Sequence, residues 1–146
     1  MRDMSSAINL KECLFKELEI VEDIINRMAN NSFLIKGWAV TLVIISFLID
    51  GMRYHHFLAL IPWLVFWYLD ASFLRLERCY KELYDWLIKN RLTSDEKLFN
   101  MNAKARFKNN VGGIPQTMVS WSLLSFYGMI FVLIVSVLVF EYVIIK

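Results

Sequence analysis

Two cysteines, two prolines, two histidines and five glycines are all that the 146 residues hold of these types. Each scarcity closes off a class of protein. Cys13 and Cys79 form no Cys-x-x-Cys, and neither a disulfide framework nor a metal site is expected of them; a reduced, structural role is. So few glycines leave no phosphate-binding glycine loop, and neither Gly-x-Ser-x-Gly nor His-Glu-x-x-His occurs. His55 and His56 are neighbours, so they point to different helix faces, and a polar turn suits them better than a metal centre. Gly112-Gly113 before Pro115 reads as a hinge. No enzyme and no cofactor is expected. Charge of one sign is lacking too: the net charge of +2 is too small to argue for a nucleic-acid partner, so any such argument rests on where charges sit. The first 30 residues carry four basic and six acidic groups, which does not suit a cleavable signal peptide. The first apolar span is therefore expected to act as its own insertion signal.

Apolar residues are abundant instead. They make up 58% of the chain against 21% charged, beyond the usual range of soluble domains. The runs beginning at Phe33 and at Phe57 show neither a two-residue alternation nor a polar face, which excludes strands and surface helices. About 17 to 20 such residues in a helix cover roughly 26 to 30 Å, the hydrocarbon thickness of a bilayer. Residues 33–50 and 57–74 are read as two crossings joined by a short turn, and residues 118–140 as a third, long enough to cross with some tilt. The expectation is an all-α membrane protein with three transmembrane helices, a long cytoplasmic helical hairpin and a homo-oligomeric assembly.

The hairpin is expected to continue beyond lipid. Ser5 and Ser6 are candidate N-caps of an amphipathic helix opening near Ala7, within a cytoplasmic segment 1–32. Leu10, Leu14, Leu18, Val21, Ile25 and Met28 recur every three or four residues, a stripe that predicts packing against another helix. A bend is expected at Asn30-Asn31-Ser32. In the other limb, Phe73, Leu76, Tyr80, Leu83 or Tyr84, Leu87 and Ile88 keep helical spacing, opening the basic helical segment 75–116. With the turn near residues 53 and 54, equal distances along the limbs place Lys36 near Asp70, Glu19 near Lys89 and Glu17 near Arg91. Glu22 facing Asp85 is the exception. Thr93-Ser94-Asp95-Glu96 reads as a capping box opening a short helix through Phe107.

Basic residues set the orientation. Segment 75–116 has nine against five acidic, whereas Arg53 alone lies in the first turn and Lys146 alone at the C-terminal end. The N-terminus is thus expected in the cytoplasm and the C-terminus outside. Trp38, Trp67, Tyr68 and Trp121 are candidate interfacial anchors, while Trp63 sits deep enough to pack instead.

Three groups of residues are candidates for function. Lys36 and Asp70, at the cytoplasmic ends of their spans, suit a structural ion pair, with a gating role as the alternative. In the third span Trp121, Ser125, Gly128, Val132 and Ser136 share one face of mostly small residues. That face either packs on the hairpin or forms a subunit interface or pore lining, since three spans cannot enclose an aqueous path alone. Arg27, Arg78, Lys81, Lys104, Arg106 and Lys108 form the basic set: lipid head groups are one partner for it, a nucleotide or oligonucleotide another.

One stretch resembles a known group. Arg27-Met-Ala-x-Asn31-Ser32-Phe33-x-x-Lys36-Gly37-Trp38-x-Val40-Thr41-Leu42, then Pro62, Phe66-Trp67-x-Leu69-Asp70, Glu77-Arg78 and Leu83-Tyr84, is similar to small membrane effectors of bacterial antiphage-defence operons, of the kind in the two-gene Hailong system. The likeness covers about residues 20 to 90 and not the third span. It implies a homotetrameric channel in the bacterial inner membrane, with the C-terminus periplasmic. It further implies a partner nucleotidyltransferase whose single-stranded oligodeoxyadenylate binds the cytoplasmic part and keeps the channel closed. Loss of that ligand on infection would depolarise the membrane and arrest growth, an abortive infection. The competing expectation is a non-conducting anchor that recruits a cytoplasmic partner through its N-terminal helix.

Overall fold

The computed structural model describes the backbone of residues 2–49 and 55–144, and the side chains of 9–49 and 57–143. The turn with Arg53, the side chains of Ser5, Ser6, His55 and His56, and Lys146 lie outside the described residues. The described chain is helical, with no strand: α1 (Arg2–Leu48), a 3₁₀ turn (His55–Ala59), α2 (Leu60–Asn90), α3 (Ala103–Phe107), α4 (Ile114–Met118) and α5 (Trp121–Ile144). Helix α1 opens at Arg2, so Ser5 and Ser6 lie inside it and not at a cap, and it runs unbroken through Asn30, Asn31 and Ser32. Nothing before Gly37 in α1 lacks a Cβ or an amide hydrogen, so no residue there interrupts the helical hydrogen bonds. Pro62 falls in the first turn of α2, where a missing amide hydrogen costs nothing.

The chain divides into two compact units: residues 1–30 with 74–112, and residues 31–73 with 113–146. The first, polar unit is built on the α1 stripe. Leu14 and Val21 are buried with Cys79, Leu83 and Leu87 of α2 and with Ala103, Phe107 and Val111, flanked by Leu18, Ile25, Tyr80, Tyr84, Trp86 and Met101. Cys79 is thus a core side chain, Cys13 is half-buried, and both are free thiols. Glu22 and Asp85 are exposed to solvent, which removes the conflict between like charges expected from the sequence. Glu19 and Lys89 are exposed as well and form no ion pair.

The capping box expected at Thr93 does not form. Thr93 Oγ1 donates to the Asn90 carbonyl at 3.0 Å, closing the end of α2, and the Glu96 amide donates to Ser94 Oγ. The short helix starts later, at Ala103, with Asn102 as its cap: Asn102 Oδ1 accepts from the Ala105 amide at 3.1 Å. Arg91, described below, causes the delay by gathering the carbonyls of this turn around itself.

In the second unit Val43 of α1, Ala59 and Ile134 of α5 are buried together, with Phe47, Leu60, Trp63, Ile130 and Leu138 against them. The opposite faces are apolar and bare: Phe33, Leu48, Ile61, Met129 and Phe140 are 60 to 77% exposed. Such a surface is stable in lipid and not in water. Asn9–Leu48, Phe57–Asn90 and Trp121–Val143 each contain a stretch long and apolar enough to cross a membrane. Two departures mark the third crossing. Its helix begins at Trp121 and not at residue 118, because the chain breaks at Val119-Ser120, where the Ser120 carbonyl accepts from the amides of Leu123 and Leu124. The stretch before it is the separate α4, whose start is fixed by Gln116 Oε1 accepting from the Gly113 amide and by the Thr117 hydroxyl donating to the Gly113 carbonyl.

Candidate functional site

The most distinctive chemistry of the second unit converges on Asp70. Its position on α2 turns the carboxylate inward, and the residue is fully buried. An unpaired carboxylate in such a place is prohibitively costly, so partners must surround it. Lys36 Nζ of α1 lies 2.7 Å from Oδ2. Ser32, one turn earlier on the same helix, donates its hydroxyl to Oδ1 and accepts from Lys36 Nζ at 2.7 Å. The i, i+4 spacing of Ser32 and Lys36 sets both on one face, so one helix supplies a donor to each carboxylate oxygen. The third partner comes from α5: the Tyr127 hydroxyl lies 3.2 Å from Asp70 Oδ2 and 3.2 Å from the Phe66 carbonyl. Lys36 also faces the Phe126 ring at 5.9 Å.

The ion pair expected between Lys36 and Asp70 is present, and Ser32 and Tyr127 are additions that sequence reasoning missed. A signal for Tyr127 existed: Leu123, Tyr127, Ile130, Ile134 and Leu138 recur every three or four residues, and a tyrosine on an inward stripe needs a partner for its hydroxyl. Around it the indoles of α2 hold α5 and the end of α4. Trp63 Nε1 donates to the Tyr127 carbonyl at 2.8 Å and Trp67 Nε1 to the Met118 carbonyl at 3.1 Å, while the Trp67 and Tyr127 rings stack with centroids 6.0 Å apart. Trp63 packs, as expected. Trp67 is a packed side chain too, whereas Trp38, Tyr68 and Trp121 are exposed.

This stripe shows which face of α5 packs within the chain. The side of α5 that packs on the hairpin is that of Leu123, Tyr127 and Ile134. Ser125, Val132 and Ser136 are exposed, and a Cβ added at Gly128 would meet no atom within 4 Å. Within this chain the small-residue face is therefore not used for packing. The hydroxyls of Ser125 and Ser136 turn back onto the carbonyls of Ser122 and Val132, which leaves the face without dangling donors.

The basic residues do not converge on one place. Arg27 lines a shallow recess along α1 with Ile20, Asp23, Asn26 and Asn30. Arg78 and Lys81 come together in another, with Glu82, Asn110, Val111 and Gly112, and Lys81 is paired with Glu77. Arg106 lies flat on Trp86, its guanidinium carbon 3.7 Å from the ring centroid. Lys104 and Lys108 are exposed. Arg75, outside the candidate basic set, clamps the following turn by donating to the Gly112 carbonyl at 3.0 Å and the Lys108 carbonyl at 3.3 Å.

Arg91 is another buried charge, and it stays inside the polar unit. It grips Glu17 through Nε and Nη2, and its remaining N–H groups reach the carbonyls of Ser94, Glu96 and Lys97. Glu17 Oε1 also accepts from the Phe99 amide at 2.7 Å. Every donor and acceptor of the pair is thereby occupied, the condition under which a buried ion pair is tolerated. Lys97 and Phe99 are held at φ 55°, a left-handed conformation unfavourable for side chains of this size.

Comparison with known proteins finds no family model, no curated protein and no solved structure that matches this chain.

Proposed function

We propose that the chain is one subunit of a homo-oligomeric membrane channel, an effector of the antiphage-defence kind, whose polar unit faces the cytoplasm and takes an anionic nucleotide ligand. The observation that carries this reading is α5: one side is fastened to the hairpin, while Ser125, Gly128, Val132 and Ser136 are left bare. In lipid, small residues on a bare face allow another helix to approach closely, and several copies arranged about an axis give the enclosed path that three helices cannot. Arg78 and Lys81 in their shared recess, with Arg27, Lys104 and Lys108 exposed elsewhere on the same unit, supply positive charge for a phosphate backbone. A single-stranded oligodeoxyadenylate that holds the channel shut, made by a partner nucleotidyltransferase, is the ligand we propose, and a tetramer in the bacterial inner membrane is the assembly. Leu14 and Val21, the centre of the stripe assigned to a cytoplasmic partner in the anchor reading, are buried within the chain itself, which favours the channel reading.

Planar-bilayer recording of the purified protein tests the proposal. Unitary currents that fall on adding oligodeoxyadenylate are the expected result. A silent bilayer with and without the oligonucleotide overturns it.

A further inference from the structure

Asp70 takes its donors from two helices, two from α1 and one from α5. With α5 removed, Asp70 would keep Ser32 on Oδ1 and Lys36 on Oδ2, both from α1. Ser32 in turn would keep Lys36, so no charge is stranded. The third contact, from Tyr127, can therefore break without the penalty that normally makes a buried ionic hydrogen bond permanent. It also differs in kind from the indole ties of α2, which reach Tyr127 in α5 and Met118 at the end of α4. Trp63 and Trp67 donate to main-chain carbonyls, and such acceptors recur at every residue along a helix. Besides the Phe66 carbonyl, Tyr127 meets Asp70, the only buried carboxylate among the described residues of this unit, which exists at one height only.

From this we infer that Tyr127 and Asp70 form a releasable latch that fixes the register of α5 on the hairpin. The Trp63 indole bond and the Trp67–Tyr127 stack hold the helix close, and the latch decides its height. What release accomplishes rests on the channel reading: the bare face of α5 is the surface whose position would change. The latch itself stands on the geometry around Asp70 alone.

Full-length protein in lipid nanodiscs is the preparation for the test, with Tyr127→Phe and Trp67→Phe compared. Tyr127→Phe keeps the ring and removes only the hydroxyl. Trp67→Phe removes an indole donor and leaves the latch intact. Amide hydrogen exchange is read along residues 121–134, and single-channel current is recorded from the same preparations. Expected is exchange accelerated about tenfold or more across α5 in Tyr127→Phe, the factor that follows from losing one hydrogen bond to a charged group, with Trp67→Phe within about twofold of the native protein. Equal acceleration in both variants overturns the latch, because α5 would then be held by docking in general. Unchanged exchange in Tyr127→Phe, or exchange raised throughout α1 and α2 as in an unfolding variant, overturns it as well. Higher open probability in Tyr127→Phe alone supports its role in gating. A silent native channel removes the channel reading, and the exchange result still decides the latch.

Discussion

Glu17 and Arg91 stand 74 positions apart in the chain, yet their side chains meet in a two-pronged ion pair, each only 1% exposed. Neither group has access to water that would replace its partner. Removing one member leaves a buried charge facing empty space, which is far more costly than never having had the pair.

Glu17→Ala is therefore expected to destabilise the protein by about 3–5 kcal/mol. Glu17→Gln, which keeps an acceptor for the Phe99 amide, is expected to do so by about 1–3 kcal/mol. Thermal unfolding in detergent micelles measures both. The double change Glu17→Leu with Arg91→Leu is not expected to recover native stability, because Arg91 also satisfies the carbonyls of Ser94, Glu96 and Lys97. Full recovery would show that the turn needs no guanidinium.

Gly128→Leu separates folding from assembly. Beyond its own turn of helix, no atom of the described residues lies within 4 Å of a Cβ at this position, so the fold has room for the larger side chain. Replacing glycine inside a helix even favours it, by about 0.8–1 kcal/mol. Assembly through this face is expected to fail, leaving monomers on chemical cross-linking where the native chain gives oligomers. Unchanged oligomers would move the contact to another helix.

Membrane orientation is open to a labelling experiment. In a background of Cys13→Ser and Cys79→Ala, a cysteine at position 54 is expected to react with an impermeant maleimide added outside intact cells. A cysteine at position 100 is expected to react only after lysis. The reverse pattern would place the basic segment outside, against the inside rule.

Much of this architecture is legible in the residues alone, for identifiable reasons. Apolar runs with no polar face leave little choice but a lipid-crossing helix, and an antiparallel pair makes counting outwards from its turn a usable ruler. That ruler finds Lys36 with Asp70 and Glu17 with Arg91. It fails for Glu19 and Lys89, because register says which residues are level and not which faces turn together. Thr93 has the pattern of a cap, but local capping is worth about 1 kcal/mol, less than a buried guanidinium gains by collecting three carbonyls. Ser125, Gly128, Val132 and Ser136 share a face in any helix, but only packing tells which face of α5 is spent within the chain. Tyr127 eluded sequence reading because its hydroxyl answers a carboxylate 57 positions away.

The turn that carries Lys97 and Phe99 has a backbone that neither residue would choose. Its form is imposed by a carboxylate belonging to α1, through the Phe99 amide and the Arg91 fork. Without that template only short-range bonds remain, such as the Asn100 amide donating to the Lys97 carbonyl at 3.1 Å: the two residues are then expected to revert to ordinary right-handed or extended values, and the side chain of Phe99, now half exposed, to swing elsewhere. The outline of this part of the surface is thus a readout of whether Glu17 is in place.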